Sequence, residues 1–365
     1  MRVLAVTTWY PSPQDPVAGI FVKRHLEAIA ARHELYLAHL VHGVAGSPVV
    51  RGEQAQRDPR IQVLSLAPGS LFASARALRS YAAEVQPDVV HTMVFSSLPA
   101  GALVRLGRAW VHTEHWSGIS DPSSVSPGWA RAARARHLLR APDVVTTVSS
   151  YLQEAVQPFT RKGSAVVVPN VVVGPPQALP RSPQPAGRMN LLAVGGLNPV
   201  KNPILAVGTL AELRRRGFDV HLRWVGSGAL DSAMREYAQR LGVSDRLELT
   251  GQLPPDALTT HHRWSTCFFL PTQHETFCLG GAEALLHGRP VVLGARGGQR
   301  DFVTRDVGSL VTEQSAAAYA DAVVDVHRRL GGLAPERFAT PIRVRFSPEV
   351  VAQEFDRVYE LARRR

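Results

Sequence analysis

Short apolar runs alternate with amphipathic stretches along almost the whole chain, and this alternation restricts the possible folds more than any other feature of the sequence. The strand-like runs are residues 2–7, 34–40, 61–66, 88–91, 109–113, 144–148, 190–194, 220–225, 247–250, 267–270 and 290–293. Between several of them, apolar residues recur at helical spacing, as at Phe21, Leu26 and Ile29. Strands that alternate with helices predict parallel sheets covered by helices on both faces.

The alternation is interrupted by a stretch rich in proline and glycine, from Gly174 to Gly187. Its composition is typical of a stiffened linker. A chain of 365 residues is long enough for two domains of about 150 residues each. We therefore predict an α/β domain over residues 1–172, a linker over 173–188 and a second α/β domain over 189–345.

An apolar stripe in the last twenty residues predicts a further helix. Val351, Phe355 and Val358 are among the apolar residues that recur on one face between Phe346 and Arg365. We predict one helix over residues 346–365.

Composition excludes several classes of protein. Hydrophobic residues make up 45% of the chain and charged residues 19%, which is typical of a soluble globular protein and not of a disordered one. No uncharged apolar run approaches 18 residues, so we expect no membrane span. The first residues are typical of a strand and not of a signal peptide, which predicts a cytoplasmic protein. The two cysteines, Cys267 and Cys278, stand in no metal-type spacing, so we expect reduced thiols and no metal site.

The net charge of +11 favours an anionic partner. Nucleic acid, an anionic membrane surface and a phosphorylated small molecule all fit that charge. No zinc-finger or RNA-recognition signature accompanies the basic residues, so we expect no nucleic acid. Basic residues of the first domain could make a weak contact with anionic lipid, and a solvated basic face is the alternative: Lys23, Arg24, Arg131 and Arg134.

The segment from Pro271 to Val292 is the most informative part of the chain. Glu275 and Glu283 are separated by seven residues, and a turn of small residues lies between them. A helix then starts and ends at Gly288. Such a turn offers free backbone N–H groups at a helix N-terminus, which suits a phosphate. Glu283 can accept hydrogen bonds from a ribose diol, and Glu275 can contact sugar hydroxyls. The alternative is two solvated glutamates that flank a helix start.

This segment resembles the Glu-x7-Glu motif of family 4 of the retaining glycosyltransferases, which have the GT-B fold. Further stretches match landmarks of that family in the same order: Trp9-Tyr10-Pro11 with Gly19-Ile20-Phe21, Val168-Pro169-Asn170, Val194 to Asn202, Val225-Gly226-Ser227-Gly228, and Gly297-Gly298 with Asp301. The resemblance covers most of the chain. It implies two Rossmann-like domains that face each other across a cleft, with the C-terminal helix crossing back to the first domain.

The resemblance also assigns residues to the donor. Lys201 matches the lysine that neutralises the donor diphosphate, a role that suits a compact ammonium group. Glu275 matches the glutamate near the donor sugar, and Glu283 matches the one that binds the ribose. The backbone N–H groups that should face the sugar and phosphates belong to Phe277, Cys278, Leu279 and Gly280. The other matching donor-side positions are Gly196, Asn202 and Gly226 in the second domain and Gly19, at the start of a helix in the first.

His115 matches a histidine of the first domain that contacts the donor sugar near the reacting carbon. His112 and Glu114 lie within three residues of it and are alternatives. We expect His112 and Glu114 to lie on opposite faces of their strand, so that they do not share one site.

Two departures from the family pattern affect the donor site. Gly196 stands where many members carry an arginine that clamps the diphosphate together with the lysine, and Arg296 or Arg300 could compensate. Cys278 stands where the family commonly has glycine, so a side chain crowds the backbone near the donor.

The resemblance implies transfer of a sugar from a nucleoside diphosphate sugar to an acceptor hydroxyl, with retention of anomeric configuration and without a metal ion or cofactor. No Asp-x-Asp motif is present, so Lys201 and helix N-termini would replace a divalent ion. The acceptor, a saccharide, a lipid-linked group or a small molecule, cannot be read from the sequence, nor can the donor sugar or nucleobase.

Other classes of protein are alternatives to this interpretation. A nucleotide-sugar epimerase or a sugar phosphorylase can use a similar pair of domains, and a non-catalytic sugar-nucleotide binding protein is conceivable because the arginine is missing. A nicotinamide dehydrogenase would need a Gly-x-Gly-x-x-Gly turn after the first strand, where residues 7–20 carry Trp9, Tyr10 and three prolines.

Overall fold

The structure is a computed structural model that describes residues 1–12, 15, 17–41 and 60–365. Two of the three prolines of the loop predicted after the first strand, Pro13 and Pro16, therefore lie outside the described residues. The chain divides into two compact units. The first unit contains Met1–Val171 and Pro348–Arg365, and the second contains Val172–Ser347.

Every strand-like run predicted from the sequence forms a strand, and the structure adds two short strands that were not predicted. In the first part of the chain the strands and helices are β1 Arg2–Thr7, α1 Ile20–Ala30, β2 Glu34–Val41, β3 Ile61–Ser65, α2 Leu71–Val85, β4 Val89–Met93, α3 Leu98–Val104, β5 Ala109–Glu114, α4 Ser117–Ser120, α5 Pro127–Ala132, β6 Val144–Thr147, α6 Ser150–Val156 and β7 Ala165–Val167. The remainder are β8 Met189–Val194, α7 Pro203–Arg215, β9 Val220–Val225, α8 Asp231–Arg240, β10 Leu247–Gly251, α9 Leu258–Trp264, β11 Cys267–Leu270, α10 Leu279–Leu286, β12 Val291–Gly294, β13 Gly308–Val311, α11 Ala316–Leu330, α12 Glu336–Phe346 and α13 Pro348–Arg363.

Each unit contains one parallel sheet. The strand order is β3-β2-β1-β4-β5-β6-β7 in the first unit and β10-β9-β8-β11-β12-β13 in the second. All the strand pairs within these sheets are parallel. This is the order of the doubly wound nucleotide-binding fold, in which the direction of winding reverses between the first and fourth strands. The prediction of two Rossmann-like α/β domains is confirmed.

The last helix, α13, belongs to the core of the first unit. Val351, Phe355 and Tyr359 are fully buried and pack with Val3, Val22 and other residues of β1 and α1. The prediction of one helix over 346–365 is wrong at its start. Phe346 ends α12 and packs in the second unit against Phe277 and Phe302, with ring centroids 5.4 and 5.9 Å apart, respectively. Ser347 is extended, and α13 begins at Pro348.

Residues 173–188, predicted as a linker, belong to the second unit and are bonded to the rest of it. The Leu179 carbonyl oxygen accepts a hydrogen bond from Arg289 Nη2 at 2.7 Å, and the Ala178 N–H donates to Glu336 Oε1 at 2.6 Å. The proline-rich composition therefore produces an irregular segment that is held by side chains of α12 and of the turn after α10. Within the described residues, no helix has both the length and the apolar content needed to cross a membrane.

Candidate functional site

Two loops meet at the point in the second sheet where the winding direction reverses. One follows β8 and contains residues 195–202, and the other follows β11 and contains residues 271–278. Since β8 and β11 are neighbouring parallel strands, both loops leave the same edge of the sheet. Ligands of open α/β sheets bind at this position.

The two loops are joined by hydrogen bonds. The carbonyl oxygen of Val200 accepts from the Gln273 N–H at 2.8 Å and from Thr272 Oγ1 at 3.0 Å. Asn198 caps the short turn Pro199–Lys201, because its Oδ1 accepts from the Lys201 N–H at 3.1 Å. Asn202 follows with φ 54° and starts α7, and its Nδ2 donates to Gln314 Oε1 at 3.3 Å. This geometry fixes the backbone from which the Lys201 side chain extends.

Lys201 and Glu275 form an ion pair between these loops. Lys201 Nζ donates to Glu275 Oε1, and the two side chains are 23% and 11% exposed. Burial is the largest single effect and lowers the pKa of Lys201, but the charge of Glu275, the neighbouring Cys278 and the hydrogen bond to Glu275 together outweigh it, and the pKa of the ammonium group is raised. The lysine is therefore charged at neutral pH and already has an anionic partner.

The backbone of Glu275 is held by the loop after β12. The Glu275 N–H donates to the Arg296 carbonyl at 3.2 Å, and the Gly298 N–H donates to the Glu275 carbonyl at 3.0 Å. A side chain at Gly297 would place its Cβ 2.3 Å from the Glu275 oxygen, so only glycine fits there. The side chains of Arg296 and Arg300, the candidates for the missing cation, are exposed, and Arg296 is next to Glu275 through its main chain.

Cys278 lies beside this ion pair and is the N-cap residue of helix α10. This cysteine has φ 74° and ψ 61°, a left-handed conformation that is costly for a residue with a Cβ. A glycine, which the sequence resemblance leads us to expect at this position, would adopt the same conformation without that cost. No side chain caps the helix among the described residues, and the N–H groups of Leu279 and Gly280 lie in the first turn. Burial raises the pKa of the Cys278 thiol to about 12, so the thiol is neutral.

The remaining predicted positions of α10 differ in their surroundings. Phe277 is buried, and its ring packs against Phe302 and Phe346, so its side chain serves the core and only its backbone is left for a ligand. Glu283 is half-buried in the middle of the helix. Its carbonyl oxygen accepts from the His287 N–H at 2.9 Å and is 2.7 Å from His287 Nδ1. The N–H groups that are predicted to face a phosphate and Glu283 thus share one short helix.

Two predicted glycines lie where β8 and β9 end. A Cβ at Gly226, whose φ is 142°, would lie 2.0 Å from the Gly195 carbonyl oxygen, so the close approach of these loops requires glycine. Gly196 differs, because a Cβ added there would have Asn198 Nδ2 as its nearest neighbour, at 3.2 Å, and because its φ lies outside the left-handed region. A side chain fits at residue 196 with a small adjustment of Asn198.

In the first unit, Gly19 starts α1 with φ 65°, and a Cβ there would lie 2.6 Å from the Trp9 carbonyl carbon. His115 follows β5 and is 5% exposed, with its ring centroid 4.7 Å from that of Phe21 and 5.2 Å from that of His25. Both ring nitrogens are enclosed and have no hydrogen-bond partner among the described residues. Burial, with smaller contributions from His25 and His112, holds the pKa of His115 well below its ordinary value, so the ring is neutral.

The expectation that His112 and Glu114 lie on opposite faces of β5 is wrong. Residues two apart in a strand share a face, and His112 Nε2 is 3.3 Å from Glu114 Oε2. Both side chains are fully buried. Glu114 Oε1 also accepts from the N–H groups of His115 and Trp116 at 2.9 and 2.8 Å. Glu114 therefore shapes the turn that carries His115.

The structure thus places Lys201, Glu275, Cys278 and the start of α10 together in the second unit. Sequence reasoning missed Asn198 and Val200, which position the lysine, although Asn-Pro before a helical turn is a capping signal. In the described part of the chain, no group of three or more His, Cys, Asp or Glu residues is arranged to hold a metal ion.

Comparison with known proteins finds two family models that match the chain. "Glycosyltransferase Family 4" matches residues 18–173, and "Glycosyl transferases group 1" matches residues 178–328. A protein of Corynebacterium glutamicum described as D-inositol 3-phosphate glycosyltransferase is 28% identical over 66% of this chain. This chain spans 64% of that protein's length. Two proteins of the same description, from Frankia alni and Acidothermus cellulolyticus, are matched over 35% and 58% of their length, so the chain covers less than two thirds of each of these relatives.

Solved structures with the same fold cover nearly the whole chain. Sucrose-phosphate synthase from Thermosynechococcus elongatus has a TM-score of 0.74 at 19% identity, over 99% of this chain and 98% of its own. HepE of Anabaena, in complex with UDP and glucose, has a TM-score of 0.73 at 17% identity, over 98% of this chain and 99% of its own.

Proposed function

Because the chain belongs to family 4 of the glycosyltransferases, with the GT-B fold, we propose that it transfers a sugar from a nucleoside diphosphate sugar to the hydroxyl group of an acceptor, with retention of anomeric configuration. The observation that carries the proposal is the Lys201–Glu275 ion pair, which lies beside the start of α10 at the reversal point of the second sheet.

The ion pair suits a leaving diphosphate. An ammonium group has three N–H donors, so Lys201 can contact a phosphate oxygen while it stays next to Glu275. The first N–H groups of α10 and the positive end of its dipole act on the same anion. These charges stabilise the negative charge that develops on the diphosphate as the bond to the sugar breaks.

The proposed reaction needs no general base from the protein. The bond between the anomeric carbon and the phosphate oxygen breaks, and the acceptor oxygen bonds to the same face of that carbon. The acceptor proton passes to the departing phosphate oxygen. The protein contributes orientation and charge, and we propose that no divalent ion takes part, which transfer in the presence of EDTA tests directly.

The donor is identified by a screen of UDP-, GDP-, ADP- and dTDP-sugars, in which a donor raises the melting temperature. D-inositol 3-phosphate is the first acceptor to assay, since relatives are described by that activity. Product that forms only with both substrates supports transfer. A protein that binds the donor but shows neither transfer nor slow hydrolysis of the donor is a binding protein. Conversion of the donor sugar in the absence of an acceptor identifies an epimerase. Phosphate-dependent cleavage of a glycoside identifies a phosphorylase.

A weak contact of the first unit with anionic lipid remains part of the proposal for lipid-linked acceptors. Salt-sensitive sedimentation with vesicles that contain phosphatidylglycerol tests it, and equal sedimentation with phosphatidylcholine vesicles contradicts it.

A further inference from the structure

Two arginines of the second unit, one fully buried and one half-buried, have no carboxylate partner among the residues that the structure describes. Arg289, just before β12, is fully buried. Its Nε donates to the His262 carbonyl at 2.7 Å, its Nη2 to the Leu179 carbonyl at 2.7 Å and its Nη1 to the Gly288 carbonyl at 3.3 Å. All three acceptors are uncharged main-chain groups. The guanidinium is hydrogen-bonded, but its charge is not neutralised.

Arg181 lies two residues after Leu179, in the segment that Arg289 holds. Its Nη1 donates to the Gly331 carbonyl. Its Nε and Nη2 are enclosed by the protein and have no hydrogen-bond partner among the residues that the structure describes. These two atoms form the edge of the guanidinium that grips an anion with two parallel N–H groups. A buried donor pair in this arrangement is rarely left unsatisfied in a native protein.

The ionisable groups around the two arginines carry no negative charge at neutral pH. Burial raises the pKa of the Cys267 thiol to about 12, so this neighbour of Arg181 is neutral. Burial lowers the pKa of Arg289 to about 10, with smaller effects from Arg181 and Arg263, and the group is still protonated at pH 7. The positive charge of Arg181 thus acts on that of Arg289, and a fully buried charge such as Arg289 is strongly unfavourable without a counter-charge.

The carboxylate of Glu336, which contacts this segment, already has hydrogen-bond partners. Glu336 Oε1 accepts from the Ala178 N–H at 2.6 Å, and Glu336 Oε2 accepts from Arg343 Nη1 at 3.0 Å. The rings of His262 and His287 stack next to Arg289 with centroids 4.2 Å apart, and burial lowers both pKa values. His262 Nδ1 is a further enclosed nitrogen without a partner in the described part of the chain.

We propose that a small inorganic anion of the chloride type binds at the Nε–Nη2 edge of Arg181, next to Arg289, and locks residues 178–182 onto the second unit. The anion is small and monovalent because the donor atoms are enclosed and only a few N–H groups are left for it. A water molecule could satisfy the hydrogen bonds but not the charge. This site lies at the amino ends of β11 and β12, at the opposite edge of the sheet from Lys201, and it does not depend on the transfer reaction.

Bromide provides the direct test, because its anomalous scattering distinguishes it from water. In crystals of the full chain grown in sodium bromide, an anomalous peak is expected in contact with Arg181 Nε and Nη2. In solution, thermal unfolding is compared in sodium chloride and in sodium gluconate at equal ionic strength. The melting temperature should rise by about 3–5 °C for each tenfold increase in chloride above the dissociation constant.

The variant Arg181→Met keeps the stem of the side chain and removes the charge. It should lose the bromide peak and the specific effect of chloride. Arg188→Met is the matched control, because Arg188 is in the same unit and has a carboxylate partner, Asp219, at 2.8 Å. Arg188→Met should keep both the bromide peak and the specific effect of chloride. A water peak or no peak at Arg181 in the unmodified protein overturns the proposal, and so does an equal chloride effect in Arg181→Met. If that variant does not fold, the bromide crystals decide.

Discussion

Lys201 and Glu275 are 74 residues apart in the sequence, and their side chains meet because β8 and β11, which precede them, are neighbours in the sheet. Each of the two side chains therefore depends on the other for its position. The carboxylate holds the ammonium group at the edge where a diphosphate would arrive, and the ammonium group offsets the cost of a half-buried carboxylate.

Removing the charge of Lys201 tests the donor site. Lys201→Ala should abolish the rise in melting temperature that a donor causes and lower kcat/KM by about 100- to 1,000-fold, because a charge on the leaving group is lost. Glu275→Gln should also impair the reaction, since it leaves the ammonium group without its anionic partner. Lys162→Ala, at an exposed lysine of the first unit, is the control and should behave like the unmodified protein. Normal donor shifts in Lys201→Ala would contradict the assignment.

Gly196→Arg restores the cation that the family pattern has and this chain lacks. We expect about tenfold tighter donor binding, since a charged hydrogen bond to the diphosphate contributes roughly 1.5 kcal/mol. The backbone at residue 196 accepts a side chain, because only Asn198 Nδ2 is close. Gly332→Arg adds the same charge to the second unit at a position with open space and should leave the affinity unchanged. Titration calorimetry with the identified donor gives both values, and weaker binding in Gly196→Arg would show that another group already fills this place.

A pair of valine substitutions tests the strained backbone at Cys278. Cys278→Val should destabilise the protein by about 2 kcal/mol or more, because a β-branched residue tolerates φ 74° poorly. Cys267→Val is the control, since this buried cysteine is in a regular strand, and it should cost less than about 1.5 kcal/mol. Urea unfolding measures both changes. Equal effects would mean that the conformation at residue 278 carries no strain.

Stability should fall as the pH is lowered from 6.5 towards 4. Burial lowers the pKa of His25 to about 4, although its bond to the Pro169 carbonyl opposes this, and burial lowers that of His39 to about 4 as well. In this window the unfolded chain binds protons that the folded chain does not, so each histidine reduces the free energy of unfolding by up to ~1.4 kcal/mol per pH unit. This contribution is fully present above pH 6.5.

Urea unfolding between pH 5 and 6.5 measures this slope. His25→Gln should reduce it by about one proton, because an amide keeps a donor for Pro169 and cannot be protonated. An unchanged slope in His25→Gln would contradict the prediction.

The packing of α13 is tested by one substitution in its buried face. Phe355→Ala should destabilise the first unit by about 3–5 kcal/mol, because the ring is fully buried against His25, His91 and Tyr359. Arg357→Ala changes an exposed residue of the same helix and should alter stability by less than about 0.5 kcal/mol. Removal of residues 348–365 should abolish both the folding of the first unit and activity, and an active truncated protein would show that the helix is dispensable.

The sequence predicted the strands well where an apolar run is long and bounded by turns. β1 at 2–7 and β9 at 220–225 agree to the residue. The strands β7 and β13 were not predicted, because a run of three or four residues is too short to be recognised as a strand. The start of α13 was also misplaced, although Pro348 disfavours a helical residue before it and favours a helix start at its own position.

The candidate site was predicted residue by residue but not as a set of contacts. A local pattern places Lys201 and Glu275 after strands, whereas their contact depends on which strands are neighbours. Arg181 and Arg289 gave no signal in the sequence, because their acceptors are carbonyl groups from distant turns that no residue type specifies. The face assignment of His112 and Glu114 failed for a simpler reason: the alternation rule was misapplied.

The first unit is assembled from two separate parts of the chain, whereas Val172–Ser347 is continuous. On the ribosome, β1 and α1 leave the exit tunnel long before the helix that completes their core. The apolar surface that packs against Phe355 and Tyr359 therefore stays uncovered until Pro348–Arg365 has been made and has left the ribosome. A polypeptide released shortly before Pro348 has the whole sequence of the second unit but an incomplete first unit, whose uncovered core attracts chaperones and proteases.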